Sequence, residues 1–217
     1  MENNPTEIKK KLTDSQVLRL AAGFSRVTWG IPVMLLLFAQ HLRIPVLPIP
    51  SYVVGVILVF WGLALLLGAR PINPRMDRKI EAAVLLSLLQ LYFVPFLYWW
   101  HGQPTSVYFS VNVMVMALAT ALMLILLNQL AAEFAELCHD EFFKVEAMLC
   151  AWMAMGLLIT LSTALLVFLG FHFAQTDFGA LPRFRLQPWM MAVLVMPFTL
   201  TLASMWKCRK KCIELLD

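Results

Sequence analysis

Six long apolar stretches recur along this sequence and restrict what the chain can fold into. Each is long enough, or nearly so, to cross about 30 Å of hydrocarbon as an α-helix. Since backbone polar groups find no water inside a bilayer, such stretches are stable there as helices. The stretches cover residues 21–40, 52–69, 82–100, 107–130, 147–171 and 189–206. We therefore predict an all-α polytopic membrane protein, a six-helix transmembrane bundle that forms a single domain over residues 1–217.

The composition agrees with a membrane protein. Hydrophobic residues make up 61% of the chain and charged residues only 14%, whereas a soluble domain averages about a quarter charged residues. No connection between the spans is long enough to hold a separately folded soluble domain. The N-terminal segment has a basic cluster but no small-residue cleavage site, so we expect no cleaved signal peptide. Thr13 and Gln16 predict a capping box that starts a helix at about Asp14.

The distribution of positive charge predicts the orientation in the membrane. Of the 17 lysines and arginines, only Arg43, Arg183 and Arg185 fall on one side of the predicted bundle. The positive-inside rule then places the N- and C-termini in the cytoplasm, which is consistent with an even number of spans. The compact chain and its short connections favour a bacterial inner membrane. The net charge of +4 reflects these basic flanks, so we expect membrane lipid as a partner and no nucleic acid.

Residues 131–146, which we call the elbow, join the fourth and fifth spans and carry most of the polar chemistry. Neither glycine nor proline occurs between Thr105 and Met155. Both spans are therefore expected to continue past the membrane as helices that reverse near Cys138–Asp140. Asp140 is a suitable N-cap for the returning helix, because its carboxylate can accept from free backbone N–H groups.

The elbow is acidic on a side of the protein that is otherwise basic. It also has an apolar stripe, which makes it amphipathic: Phe134, Leu137, Phe142 and Val145. We predict that four acidic residues dock a protein partner at the cytoplasmic face: Glu133, Glu136, Asp140 and Glu141. The alternative is that these carboxylates pair with the protein's own basic loops.

Two sets of residues have the types that bind metals. Cys138 or His139 could meet Cys208 and Cys212 at the inner surface, where an i, i+4 cysteine pair can hold zinc. Since the cytoplasm is reducing, we expect no structural disulfides among these thiols.

The second set lies on the predicted outer side. His41, His101 and His172 each follow the outer end of an odd-numbered span and could together bind zinc, copper or a haem. The alternative for these histidines is an interfacial role at helix C-termini, where a protonated imidazole meets the negative end of the helix dipole.

No Asp, Glu or Lys lies deep in any predicted span, which argues against an ion-driven transporter. Neutral polar residues do occur there, and they predict hydrogen bonds between helices or, alternatively, a pocket for an uncharged ligand. The main ones are Gln90, Asn112, Thr120, Asn128, Gln129, Thr160, Ser162, Thr163, Thr199, Thr201 and Ser204.

Small residues at four-residue spacing predict a contact between the fourth and fifth spans. Gly156, Thr160 and Ala164 form a ridge on the fifth span, and Ala117 and Ala121 could supply the matching groove on the fourth. Small side chains allow such helices to approach closely.

Three classes of function follow from these features. The chain has no nucleotide-binding loop, no nucleophile elbow and no zinc-protease motif, so an enzyme has little support. We predict a non-enzymatic subunit or accessory component of a membrane complex. One alternative is a small carrier or substrate-binding module that holds an uncharged ligand in a neutral pocket toward the outside. In its predicted topology alone, the chain resembles the substrate-binding components of vitamin-uptake transporters. The other is a metal- or haem-binding membrane protein that uses the outer histidines.

Overall fold

The structure is a computed structural model that describes residues 12–38, 51–70, 72–103, 106–173 and 188–216. These residues form helices and no strand, so the all-α prediction is confirmed. Six helices follow one another along the described chain: α1 (Asp14–Phe38), α2 (Ser51–Leu67), α3 (Pro74–Gly102), α4 (Val107–Leu137), α5 (Glu141–Phe173) and α6 (Pro188–Glu214).

Three of these helices are long and apolar enough to cross a membrane. They are Pro74–Trp100, Val107–Leu137 and Glu141–His172, and the apolar part of α2, Tyr52–Leu67, is shorter. These three helices support a membrane protein. The other three spans, the positions of the termini and the inner membrane stay predictions.

Two of the helices begin beside side chains that accept hydrogen bonds from backbone N–H groups. Thr13 N–H donates to Gln16 Oε1 at 3.0 Å, and α1 begins at Asp14, as the capping box predicts. At the start of α3, the Asn73 side chain accepts from the Arg75 N–H at 3.1 Å. Pro74 follows as the first helical residue, where its missing N–H costs nothing.

Glycines bring α1 and α2 into backbone contact. Gly23 of α1 lies against Gly62 of α2, and Gly30 lies against Gly55, so the two helices run antiparallel. A Cβ added to Gly62 would lie 2.8 Å from the Gly23 carbonyl oxygen, and one added to Gly55 would lie 2.6 Å from the Met34 backbone nitrogen. Only glycine fits at such an approach. The sequence reasoning did not single out these four residues.

The remaining helices pack around α4. It contacts α3, α5 and α6, and α1 also contacts α6. In the core the rings of Phe24 in α1 and Phe134 in α4 lie 5.3 Å apart between centroids. Both side chains are fully buried.

The predicted ridge on α5 does not pack against α4. Gly156 is exposed, and a Cβ added there would meet nothing within 4 Å. Thr160 and Ala164 are exposed as well, so this prediction was wrong. The buried residues of α5 lie on another face: Phe143, Ala147, Cys150 and Ala154. That face also carries small residues at helical spacing, which explains why the sequence pattern alone selected the wrong one.

Candidate functional site

The elbow is a tight reversal between α4 and α5. His139 adopts a left-handed conformation with φ of 53°. Its N–H donates to the Glu136 carbonyl at 3.0 Å, and the Asp140 N–H donates to the Ala135 carbonyl at 2.9 Å. These two bonds form a Schellman motif, the usual way of ending a helix with a residue in the left-handed region.

Asp140 starts the returning helix. Its Oδ1 accepts from the Phe143 N–H at 2.8 Å, which confirms the predicted N-cap. Its Oδ2 lies 2.6 Å from Lys211 Nζ on α6. The Lys211 ammonium and the Phe143 N–H both favour the ionised carboxylate and hold the pKa of Asp140 below its ordinary value.

Two more carboxylates of the elbow face lysines of the same chain. Glu133 lies 2.7 Å from Lys79 of α3, and this pair is largely buried. Glu136 lies 3.1 Å from Lys144 of α5, which is also 3.8 Å from Glu141. Glu133 and Glu136 therefore link α4 to α3 on one side and to α5 on the other.

A further pair joins α5 to α6. Lys207 Nζ donates to Glu146 Oε1 at 2.7 Å. Together with Glu133–Lys79, Glu136–Lys144 and Asp140–Lys211, it forms a set of ion pairs that connects α3, α4, α5 and α6 at one end of the bundle. We call this set the ion-pair belt. The alternative reading of the elbow, pairing with the protein's own basic residues, is thus observed. Partner docking by Glu133, Glu136, Asp140 and Glu141 stays a prediction.

The apolar stripe of the elbow divides between core and surface. Phe134 is fully buried against Phe24, but Phe142 is 81% exposed and Val145 is 56% exposed. Glu141, directly before Phe142, has a side chain that is 77% exposed. An apolar pair beside an exposed carboxylate is therefore presented at the tip of the elbow.

The cysteines lie inside the protein rather than on its surface. Cys138, Cys208 and Cys212 are buried beneath the turn. Burial raises the pKa of Cys138 to about 11, and burial likewise raises the pKa values of Cys208 and Cys212. At neutral pH they are therefore protonated thiols, and a metal ion would have to displace their protons in order to bind.

The described residues contain no group of three or more His, Cys, Asp or Glu placed to hold a metal ion. The zinc site predicted at Cys138, His139, Cys208 and Cys212 gains no support from this arrangement. Of the outer histidines, His41 and the His101 side chain lie outside the described residues. The His172 side chain is exposed near the end of α5. A site formed by all three stays a prediction.

A second polar group lies in the core, between α2, α3 and α4. The Thr120 hydroxyl donates to the Met116 carbonyl at 2.9 Å. Its oxygen can then accept from the Tyr52 hydroxyl at 3.3 Å and from Gln90 Nε2 at 3.5 Å. Gln90 Oε1 is buried and has no hydrogen-bond partner in the described part of the chain. Sequence reasoning had named Thr120 and Gln90, but not Tyr52.

A similar arrangement joins α4 to α6. Asn128 Nδ2 donates to the Thr201 hydroxyl at 2.7 Å, and that hydroxyl donates to the Pro197 carbonyl at 2.7 Å. Asn128 Oδ1 is buried and, among the described residues, unpartnered. The bonds from Gln90 to Thr120 and from Asn128 to Thr201 confirm the predicted hydrogen bonds between helices.

Comparison with known proteins adds nothing to this geometry. No protein-family model matches the chain, and neither a curated protein nor a solved structure matches it.

Proposed function

We propose that this protein is a non-enzymatic, multi-pass component of a membrane assembly that binds a cytoplasmic protein partner through the tip of its elbow. The observation that carries the proposal is the exposure of Phe142 and Val145 next to Glu141. Exposed aromatic side chains beside polar ones are typical of interaction sites.

The position of the tip supports a protein partner rather than lipid tails. Glu133 and Glu146 lie almost equally far in sequence from His139, on either side of the turn, and both carry ion pairs. Charged pairs belong outside the hydrocarbon. At 1.5 Å per residue, the turn then projects about 10 Å beyond this layer. Phe142 and Val145 lie in that projection, where water and headgroups surround them.

The ion-pair belt changes which residues are available for docking. Glu133 and Asp140 are largely covered and face Lys79 and Lys211, so their contribution is to hold the elbow in shape. Glu136 and Glu141 keep more than half of their side-chain surface. The partner that fits is one with an apolar pocket for Phe142 and a basic rim.

The experiment is native mass spectrometry of the protein solubilised gently from its own host. Copurifying subunits are expected with the wild type and are expected to be lost with Phe142→Ser. Ile213→Ser is the matched control, because Ile213 is also an exposed apolar residue near the same end of the bundle. Retention of the subunits by Phe142→Ser, or their loss in both variants, would refute docking at the tip.

The two unpartnered amide oxygens favour a second candidate function, a carrier or binding module for an uncharged ligand. Gln90 Oε1 and Asn128 Oδ1 are acceptors without donors among the described residues. Burying such a group costs free energy, and a small molecule with O–H or N–H groups would recover it. In the same mass spectra this function predicts a lone chain with a small-molecule adduct that Gln90→Leu removes. A lone wild-type chain without an adduct would contradict it.

Both candidates share one membrane topology. We propose that all six helices cross the membrane and that both termini lie in the cytoplasm, as the distribution of basic residues favours. Reporter fusions after Asp217 and in the connection 101–106 test the topology. The first is expected to report a cytoplasmic position and the second an outer one.

A further inference from the structure

Two arginines of α1 lie along the surface seam between α1 and α2. Arg19 Nη1 donates to the Gly68 carbonyl just after α2, at 2.6 Å. The Arg26 guanidinium carbon lies 4.3 Å from the centre of the Trp61 ring on α2. The two arginines are one heptad apart, so their backbones are separated by about 10 Å along one side of α1.

Neither arginine pairs with a carboxylate of the described residues, unlike the lysines of the ion-pair belt. Arg26 donates to the Ala22 carbonyl at 3.3 Å and stacks on Trp61, and Arg19 donates to one carbonyl. A guanidinium has five N–H donors. Most of the donors of this pair are therefore available to an anion that lies over the seam.

Two exposed tryptophans lie beside the arginines on the seam. Trp61 is 51% exposed and Trp29, one turn after Arg26, is 61% exposed. Trp61 suits the level of the lipid headgroups, which tryptophan prefers, whereas Trp29 begins about 12 Å inside the predicted first span, at the level of the acyl chains. Arg26 begins about 7 Å inside the predicted first span, within the reach of an arginine that extends toward the headgroups. Arg19 lies just before that span.

We propose that the α1–α2 seam binds an anionic phospholipid of the cytoplasmic leaflet. The headgroup phosphate is held by Arg19 and Arg26, and an acyl chain lies against Trp61 and Trp29. Arginine suits this role because its planar fork donates two parallel hydrogen bonds to phosphate oxygens. An anionic lipid is favoured over a zwitterionic one because two cations face the site and no carboxylate of the described residues pairs with them. The inference rests on the proposed membrane placement of α1 and α2.

The test uses the full chain in nanodiscs of equal phosphatidylglycerol and phosphatidylcholine, followed by native mass spectrometry of the released protein. We expect bound phosphatidylglycerol on the wild type. One basic residue near an anionic surface changes binding by about fivefold, so Arg26→Gln should lower the bound fraction about fivefold and the double variant with Arg19→Gln still further. Arg26→Lys should give an intermediate bound fraction, because lysine keeps the charge but cannot donate two parallel hydrogen bonds to the phosphate.

Arg78→Gln is the matched control, since Arg78 is an exposed arginine in the first turns of α3, at the same end of the bundle as Arg19. It should leave lipid binding unchanged. An equal loss with Arg78→Gln would mean that the lipid responds only to overall positive charge, and normal binding by the double variant would mean that the seam is not the site. Either result overturns the proposal. Soluble glycerol phosphate should not compete; competition would identify a free-phosphate site instead of a lipid site.

A second measurement separates this inference from the membrane placement. Trp29→Cys in intact membranes should resist a water-soluble maleimide if α1 is inserted. Rapid labelling would refute the placement, and the lipid site with it. Protection combined with lipid binding that ignores Arg19 and Arg26 would refute the lipid site alone. Docking at the tip is measured separately with Phe142→Ser.

Discussion

The contact between α1 and α2 predicts that a single methyl group added at Gly55 destabilises the protein. Alanine at Gly55 would place its Cβ 2.6 Å from the backbone nitrogen of Met34 and 2.7 Å from Met34 Cγ. The nitrogen belongs to a helix and cannot rotate away as a flexible side chain can. The two helices must therefore separate, which also loosens the neighbouring contact of Gly62 with Gly23.

The magnitude follows from two opposing effects. Alanine favours a helix over glycine by about 1 kcal/mol, whereas adding a methyl group to a close-packed contact costs roughly 1–3 kcal/mol and sometimes more. At Gly55 the contact is with backbone, so we take the upper part of that range and expect a net loss of about 1–2 kcal/mol. Gly156→Ala meets nothing within 4 Å, and we expect it to gain a few tenths of a kcal/mol to about 1 kcal/mol.

The protein provides its own reporter for this comparison. Its four cysteines, Cys138, Cys150, Cys208 and Cys212, are all buried, so a thiol-reactive fluorescent maleimide should label them only as the chain unfolds on heating. The labelling midpoint should fall for Gly55→Ala and stay level or rise for Gly156→Ala. Equal midpoints for the two variants would refute the backbone contact between α1 and α2.

Three further predictions use the same heating assay. His139→Gly should raise the midpoint, because a left-handed residue with a Cβ costs about 1 kcal/mol or more, and His139→Val should lower it; the reverse order would refute the Schellman turn. The folded state holds the pKa of Asp140 below its ordinary value of 3.8, so its contribution is present above that value and is lost as the pH falls through the lowered folded pKa. Here tryptophan fluorescence replaces the maleimide as the reporter of unfolding, because protonated thiols do not react with maleimide at acid pH. The acid loss should shrink in Asp140→Asn, and an unchanged acid profile would contradict the Lys211 pair. Thr201→Val should cost about 1–3 kcal/mol by leaving one N–H of the Asn128 amide without an acceptor, while the amide still donates to the Leu124 carbonyl at 2.9 Å. The double variant with Asn128→Leu should recover part of that loss.

The elbow shows how much of the site could be read from the sequence. The absence of glycine and proline predicted helices that continue to the turn, and the N-cap role of Asp140 follows from its side chain alone. The residue that makes the turn, His139, gave no signal, because a left-handed helix end usually has glycine there. The lysine that faces each carboxylate could not be predicted either, since Lys79, Lys207 and Lys211 come from other helices.

Glycine spacing illustrates a limit of sequence patterns in membrane proteins. Gly23 and Gly30, like Gly55 and Gly62, repeat every seven residues, yet the sequence does not say which helix each pair faces. Gly156 belongs to a similar small-residue pattern and faces outward. In a chain this apolar, buried and lipid-facing surfaces have nearly the same composition, so hydrophobicity cannot distinguish them. Only the packing of whole helices separates a contact glycine from an exposed one.

The lysines of α3, α5 and α6 and the arginines of α1 have different partners, and this difference connects both proposals. On α3 to α6, lysines face the carboxylates of the elbow, and the tip presents the apolar Phe142 beside two carboxylates that stay exposed, Glu136 and Glu141. On α1, glycine contacts join the helices, and Arg26 stacks on Trp61 without a carboxylate partner among the described residues. The first surface suits a protein with an apolar pocket, and the second suits a phosphate at the membrane surface.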